Sequence, residues 1–297
     1  MKTILTLLLA WLCLAPGTQA TAQGLVPNGP LGAALIQVPE AGGSSFGTGF
    51  FVTHSNWLFL VTAKHVIFDH SPADWALKGT NLLVTVHSSP YEAGAKKLKV
   101  SVDLAAARKS GDLKAHARRD VVILRFSKVH SAPQDGLIEL LPHARITEVQ
   151  AGFTNRPTIP SSSARFATLF NGLNPGDDAF LIGYPVSLGL GDGAQLDPEE
   201  PLLKKCIVAG KNPPRQKLVI DGASYFGNSG GPVWKVNHSP AGNSFSVAGV
   251  VTEFIPFQEV WENRQYQLTN MHWANSGYCV AEPMDFVLEL LDGEKWK

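Results

Sequence analysis

The stretch that decides the fold of this chain reads Tyr225-Phe226-Gly227-Asn228-Ser229-Gly230-Gly231-Pro232-Val233-Trp234. Glycine adopts backbone dihedrals that a Cβ forbids, so a serine between glycines fits a sharp turn on which neighbouring N–H groups converge. Such a point suits an oxyanion. The alternative interpretation is a glycine-rich hairpin that merely contains a serine. A catalytic interpretation therefore requires a base and an acid elsewhere in the chain.

Two further polar residues stand beside apolar, strand-like runs. His65 follows the run at 57–62, and Asp120 directly precedes the run at 121–126. A histidine can take the proton of a serine hydroxyl, and an aspartate fixes the imidazole tautomer and stabilises its charged form. Singly each has an ordinary explanation, since the chain has nine histidines and two arginines precede Asp120. In the order His65, Asp120, Ser229 they predict a catalytic triad.

Short apolar runs bounded by turn residues recur along the chain. They predict strands at 45–52, 57–62, 82–86, 98–102, 121–126, 179–184, 203–209, 218–221, 232–236, 245–251 and 278–281. Only residues 284–291 have helical periodicity, with apolar residues along one stripe. Closely spaced strands followed by one terminal helix favour an all-β fold of barrels or sandwiches over a β-α-β pattern.

The N-terminus differs in composition from the rest. Lys2 precedes an apolar run over residues 4–15, broken only by Thr6, and small residues follow up to Ala22. This is the pattern of a secretory signal peptide over residues 1–22, with cleavage before Gln23 favoured and cleavage after Ala20 as the alternative. A membrane anchor is the other interpretation, but the run is shorter than the ~20 residues that span a bilayer. We expect export, to the periplasm or outside the cell.

Composition excludes several classes of partner. The 297 residues carry no net charge and have a pI near 7.1, so we expect neither nucleic-acid binding nor membrane association after signal cleavage. Without the signal, Cys206 and Cys279 remain, either as one disulfide or as two buried thiols. No metal-binding spacing is present, so we expect no metal and no cofactor. The sequence leaves the oligomeric state open.

Three blocks of sequence resemble the chymotrypsin-like (trypsin-fold) serine peptidases: Thr62-Ala63-Lys64-His65-Val66, Asp120-Val121-Val122-Ile123-Leu124 and Gly227-Asn228-Ser229-Gly230-Gly231-Pro232. The resemblance implies two antiparallel Greek-key six-stranded β-barrels with a short C-terminal helix. A lead-in at 23–43 would precede a first barrel at 44–160 that carries the base and the acid. A second barrel and the helix at 161–297 would carry the nucleophile.

Within that family the chain resembles most the bacterial glutamyl endopeptidases and HtrA-type proteases, without the PDZ domain of the latter. Trypsin-like zymogens place before the serine an aspartate that receives a freed N-terminal ammonium, whereas this chain has the uncharged Asn228. We therefore expect no activation by cleavage at one defined N-terminus.

The resemblance also implies binding residues. The backbone N–H groups of Gly227 and Ser229 would form the oxyanion hole, and the strand Val251-Thr252-Glu253 would pair with the substrate backbone, with Thr252 behind the aspartate. The remaining pocket residues would be Ala223, an uncharged floor that argues against Lys or Arg selection, together with Ser224 and Phe254. We expect a small or medium apolar residue before the scissile bond.

The sequence thus predicts an exported serine endopeptidase acting on polypeptides. One alternative is a catalytically silent trypsin-fold binding module of the cell envelope. A second is a serine esterase of the α/β-hydrolase fold, but that fold needs a helix after the serine and the order Ser, Asp, His. Here residues 232–236 have the composition of a strand.

Overall fold

The structure of the chain is a computed structural model that describes residues 32–69, 75–87, 97–129, 138–149, 159, 161–186, 197–263 and 265–293. The predicted signal peptide at 1–22 lies outside the described residues. None of the helices in these residues could span a bilayer.

The described residues form sixteen strands and three α-helices. The strands are β1 (Ala33–Glu40), β2 (Gly43–His54), β3 (Trp57–Thr62), β4 (Asn81–His87), β5 (Lys97–Asp103), β6 (Leu113–Ala115), β7 (Val122–Val129), β8 (Ile138–Leu140), β9 (Ala144–Val149), β10 (Ser162–Ser163), β11 (Asp178–Gly183), β12 (Leu202–Asn212), β13 (Lys217–Asp221), β14 (Pro232–Ser239), β15 (Gly242–Asn263) and β16 (Leu268–Pro283). The helices are α1 (Lys64–Ile67), α2 (Leu104–Ser110) and α3 (Met284–Asp292).

The strands form two sheets, which confirms the predicted all-β, trypsin-like fold. The second sheet closes into a six-stranded barrel in the order β11-β12-β13-β16-β15-β14. The first differs from the predicted six-stranded barrel. In the described residues it has ten strands along the path β6-β7-β3-β2-β1-β4-β5-β9, with β8 added on β7 and β10 on β2, and this path does not close. Strand β10 pairs with β2, so Ser162 and Ser163 still belong to the first sheet. The domain boundary predicted between residues 160 and 161 stays a prediction.

Strand β1 of the first sheet is buried on both faces over most of its length. In β1, Ala34 and Ile36 belong to the core of the first sheet, whereas the intervening Leu35 packs into a second cluster with Phe180 of β11 and Trp234 of β14. Alternate residues of a strand point to opposite faces, so one strand serves both cores. The second cluster joins the two sheets, and the cleft between them opens at its edge.

Helix α3 closes the same interface, as its predicted apolar stripe indicates. Met284, Phe286, Val287 and Leu291 are buried in the cluster that joins the sheets. The carboxylate of Asp285 accepts the backbone N–H of Phe170 at 2.8 Å. The helix therefore fixes how the barrel sits against the first sheet.

Candidate active site

Glycines on both sides of Ser229 form the sharp turn that the sequence predicts. Gly227 has φ +97° and Gly230 has φ +88°, both in the left-handed region. A Cβ on Gly230 would lie 2.1 Å from the carbonyl oxygen of Thr48, so no other residue fits there. The turn is completed by the Asn228 N–H, which donates to the Tyr225 carbonyl at 2.9 Å.

Thr48 of β2 clamps this loop from the other sheet. Its backbone N–H donates to the Ser229 carbonyl at 2.8 Å, and its hydroxyl donates to the Gly227 carbonyl at 2.7 Å. The same hydroxyl accepts the Tyr184 N–H at 3.0 Å, and the Thr62 hydroxyl donates to the Thr48 carbonyl at 2.7 Å. Sequence reasoning missed Thr48. The available signal was its position between two glycines inside a strand, which marks a close approach of another backbone.

His65 and Asp120 meet in a two-point contact. His65 lies in α1, directly after β3, and its Nδ1 is 2.6 Å from Asp120 Oδ2. The backbone N–H of His65 donates to Asp120 Oδ1 at 2.9 Å. Burial raises the pKa of Asp120, but the hydrogen bonds and charge of His65 outweigh it, so the pKa is lowered overall. An ionised Asp120 holds the proton on Nδ1 and leaves the Nε2 lone pair of His65 available.

The loop before Asp120 is held by two buried groups. The backbone N–H groups of Arg118 and Arg119 donate to Nδ1 of His116 at 3.2 and 3.0 Å, so Nε2 of His116 is left to donate to Glu289 of α3 at 3.0 Å. Lys64 donates from Nζ to the His116 carbonyl at 3.0 Å. Burial lowers the pKa of Lys64, partly opposed by the charge of Asp120. The loop that ends at Asp120 is therefore held by side chains of α1 and α3.

One cavity of about 1040 Å³ brings the predicted catalytic residues together. Its lining includes His65, Asp120, Gly227 and Ser229. Within the described residues the Ser229 hydroxyl makes no hydrogen bond, to His65 or to any other group, although catalytic hydrogen bonds commonly tighten only around a substrate. The N–H groups of Gly227 and Ser229 also donate to no acceptor of the described chain. Both residues line the cavity.

The predicted binding residues divide into two groups. Ser224, Thr252, Glu253 and Phe254 line the cavity. Val251 does not. It is buried and paired with the nucleophile loop, donating its N–H to Gly231 at 2.9 Å and accepting from Gly230 at 2.7 Å.

Thr252 and Ala223 have environments that the sequence did not predict. The Thr252 hydroxyl points to the Val280 carbonyl at 3.4 Å. Ala223 does not line the cavity, and its carbonyl accepts a hydrogen bond at 2.7 Å from Lys204 Nζ, which lies 4.4 Å from the centre of the Tyr225 ring. Burial lowers the pKa of Lys204. A desolvated ammonium group therefore lies directly behind the predicted uncharged floor.

Cys206 and Cys279 are buried free thiols, so the possible disulfide is not formed. Cys206 lies on β12 and Cys279 on β16, with β13 between them. Two strand spacings amount to about 9.5 Å, beyond the separation that a disulfide bridges. Burial raises the pKa of Cys279 to about 12 and raises that of Cys206 as well.

A second carboxylate, Glu282, lines the same cavity as Asp120. Glu282 of β16 is 1% exposed, and its Oε2 has no hydrogen-bond partner. Lys217 Nζ lies 3.5 Å from its Oε1, and Arg119 Nη1 lies 3.9 Å from its Oε2. Burial raises the pKa of Glu282, opposed by these two cations. Lys217 also lowers the pKa of Asp120, so this network reaches the acid. No sequence signal marks Glu282, a single glutamate among apolar residues.

No group of three His, Cys, Asp or Glu side chains placed to hold a metal occurs in the described part of the chain.

The fold and the cavity define a protein of the chymotrypsin class. The family model described as trypsin-like peptidase domain matches residues 47–242, and the chain belongs to that family. No curated protein sequence matches the chain.

Solved structures with a similar fold include several serine proteases. The thermostable serine protease AL20 from an extremophilic microorganism is 11% identical with a TM-score of 0.50, covering 90% of this chain and 98% of its own. The HtrA-type protease AlgW with a tripeptide is 14% identical with a TM-score of 0.49, covering 90% of this chain and 60% of its own. The protease Anisep from Arthrobacter nicotinovorans is 15% identical with a TM-score of 0.43, covering 85% and 89%. The chain spans about 60% of the length of the HtrA-type structures that it matches, and these likenesses concern the fold.

Proposed function

We propose that this member of the trypsin-like peptidase family is an exported serine endopeptidase with the triad His65, Asp120 and Ser229. The observation that carries the proposal is the two-point contact of His65 with Asp120 on the cavity that also holds Ser229. An inactive relative has no need of an ionised Asp120 that fixes the imidazole tautomer. The contact therefore favours catalysis over a silent binding module.

The reaction follows from these groups. His65 Nε2 accepts the Ser229 hydroxyl proton while the oxygen attacks the peptide carbonyl carbon. The oxyanion that forms is stabilised by the N–H groups of Gly227 and Ser229, and losing one such donor costs on the order of 10²–10³ in turnover. His65 then gives the proton to the amine, which leaves as the C–N bond breaks. A water molecule attacks the acyl-enzyme by the same route, releasing the acid and restoring Ser229.

Two substitutions test this mechanism. We expect Ser229→Ala and His65→Ala to lower peptide hydrolysis by about 10⁴-fold or more while the fold is kept. A fluorophosphonate probe should label the native chain at Ser229 and fail on Ser229→Ala. Ser239→Ala, which removes an exposed hairpin hydroxyl, is the matched control and should keep full activity. Absence of labelling in the folded native chain would support the binding module.

An esterase is the weaker alternative, because residues 232–239 after the serine form strand β14 where that fold needs a helix. Hydrolysis of simple esters with no peptide cleavage would favour it.

Export and specificity complete the proposal. Residues 1–22 would be removed on export, and the N-terminal sequence of the mature protein from its compartment tests this.

The pocket beside Ser224 and Phe254 would take a small or medium apolar residue. Because Asn228 is uncharged and buried, no freed N-terminal ammonium would pair with it, so a chain that stays inactive until one defined bond is cut would contradict this part.

A further inference from the structure

Strands β15 and β16 continue past the barrel as a two-stranded ribbon. We call residues 256–263 and 265–275, which start and end at the pair Pro256↔Asn275, the arm. The pairing of β15 with β14 ends at Val250, and that of β16 with β13 ends at Tyr278. Within the described chain, both outer edges of the arm therefore lack a strand partner.

The arm exposes apolar side chains on both faces. Cross-strand register puts Phe257 and Trp261 on one face and Val260, Met271 and Trp273 on the other. Each of these five side chains is between 53% and 65% exposed. A two-stranded ribbon cannot bury its own apolar residues, and a long, exposed, apolar edge is a site for pairing with another chain.

The open edge of β15 is continuous with the candidate active site. Thr252, Glu253 and Phe254 line the cavity beside Ser229, and Pro256 at the base of the arm lines it too. A substrate backbone paired antiparallel to Thr252–Phe254 would have its scissile bond at Ser229. The residues upstream of that bond would lie along β15 toward the tip of the arm. From Thr252 to Asn263, an extended strand covers roughly 36 Å at about 3.3 Å per residue.

The charges of the arm indicate what pairs with it. Along the edge of β15, residues 254–263 include Glu259 and Glu262 and no Lys or Arg, and the basic Arg264 comes only after the end of the strand. Natural edge strands are commonly protected by Lys, and this one is not. Two copies of the arm pairing edge to edge would bring these carboxylates together, so a second copy of the chain fits less well than a segment with basic and apolar residues.

We propose that the open edge of β15, residues 254–263, binds an extended segment of substrate upstream of the scissile bond as an added antiparallel strand. This inference rests on the proposed function, and it names the substrate class: unfolded polypeptides with apolar and basic residues over about ten positions before the cleavage site. A short peptide that ends at the cavity does not reach the arm. The family match ends at residue 242, so the arm is a feature of this chain outside the matched part.

The test compares two fluorogenic peptides with one cleavage site, having three or ten residues upstream, the added residues alternating apolar and basic. We expect the longer peptide to have a kcat/KM about tenfold or more higher. The double variant Phe257→Ser, Trp261→Ser should lose this gain and leave the short peptide unaffected. Phe166→Ser, which changes an exposed phenylalanine outside the arm, is the matched control and should keep the gain.

A long peptide N-methylated at alternate upstream residues should also lose the gain, because backbone hydrogen bonds to the edge of β15 are blocked. Equal rates for the two peptides, or an arm variant that slows both alike, would overturn the inference while Ser229 labelling still supported the peptidase. A protein that neither reacts with the probe nor cleaves either peptide would refute the proposed function itself. If sedimentation shows that the arm variant only dissociates a dimer, with no length dependence in any form, the arm binds a second copy and the inference is wrong.

Discussion

Strand β15 has two parts with different surroundings: a barrel half, up to Val251, and an arm half, from Pro256 onward. Comparing them shows which residues stabilise the fold and which are available for binding. The first half of β15 lies in the barrel, where Val247, Ala248 and Val250 are at most 1% exposed, whereas Val260 and Trp261 in the arm are more than half exposed. Both halves pair with β16. Backbone pairing is therefore common to the two, and burial belongs to the first half alone.

The halves also differ in what they hold. Val251, at the end of the barrel half, exchanges two backbone hydrogen bonds with the nucleophile loop, at 2.7 and 2.9 Å. In the described chain the arm half of β15 pairs with β16 alone. A strand that is rigid at one end and open at the other suits a protein that must fix a serine and also accept a variable chain.

The largest difference is expected at two glycines, Gly249 in the barrel half of β15 and Gly277 of β16 just outside the arm. A Cβ on Gly249 would lie 2.7 Å from the carbonyl oxygen of Glu282 and press on Leu218, so Gly249→Ala should cost about 3 kcal/mol of unfolding free energy. Gly277, past the arm, has φ +87° but open space around it, so Gly277→Ala should cost only about 1 kcal/mol. Urea unfolding measures both. Equal losses would mean that the barrel half is looser than its packing indicates.

A smaller difference is expected at valine. Val250→Ala removes two methyl groups from a fully buried site and should cost about 2 kcal/mol, including the cavity left behind. Val260→Ala removes the same atoms from the arm and should change the unfolding free energy by less than about 0.5 kcal/mol. Thermal or urea unfolding of the pair gives the ratio directly. A large loss at Val260 would show that the arm is covered in solution.

The barrel half could be predicted from the sequence and the arm could not. The continuous apolar run at 245–251 predicts a buried strand, but residues 256–275 mix a proline, carboxylates and aromatic residues without a clean period of two. Strand β1 was also missed. It lies in a stretch punctuated by Pro and Gly, and it is buried on both faces, so its residues do not alternate in polarity. Strands β8 and β10 are short, and β8, β9 and β10 all lie among the turn residues that predicted a domain boundary.

The candidate site was predictable where local sequence carries the chemistry. His65, Asp120 and Ser229 stand beside apolar runs or glycines, and the cavity brings all three together. Thr48, Lys217 and Glu282 act through contacts between strands distant in sequence, which no local pattern encodes. The two cysteines illustrate the same limit, because their separation depends on β13 lying between them.

The last prediction concerns pH and the carboxylate opposite Val250 in the β15–β16 pairing, Glu282. Burial raises its pKa in the folded chain above the ordinary value of 4.5. A carboxyl group with a raised folded pKa binds its proton more tightly in the folded than in the unfolded state. Its contribution to stability is therefore fully present below about pH 4.5 and is lost as the pH rises through the folded pKa.

Glu282→Gln removes this dependence while keeping the shape of the side chain. We expect the unfolding free energy of the native chain, minus that of Glu282→Gln, to be larger at pH 4.5 than at pH 8, so that the native chain is relatively more stable at pH 4.5. Urea unfolding at both pH values measures it. Glu262→Gln in the arm is the matched control and should stay within about 0.5 kcal/mol of the native chain. A stability difference that is larger at pH 8 would contradict this prediction. It would mean that Lys217 and Arg119 stabilise the ionised Glu282 by more than its burial costs. These charged groups near Asp120 would then stabilise the fold at neutral pH.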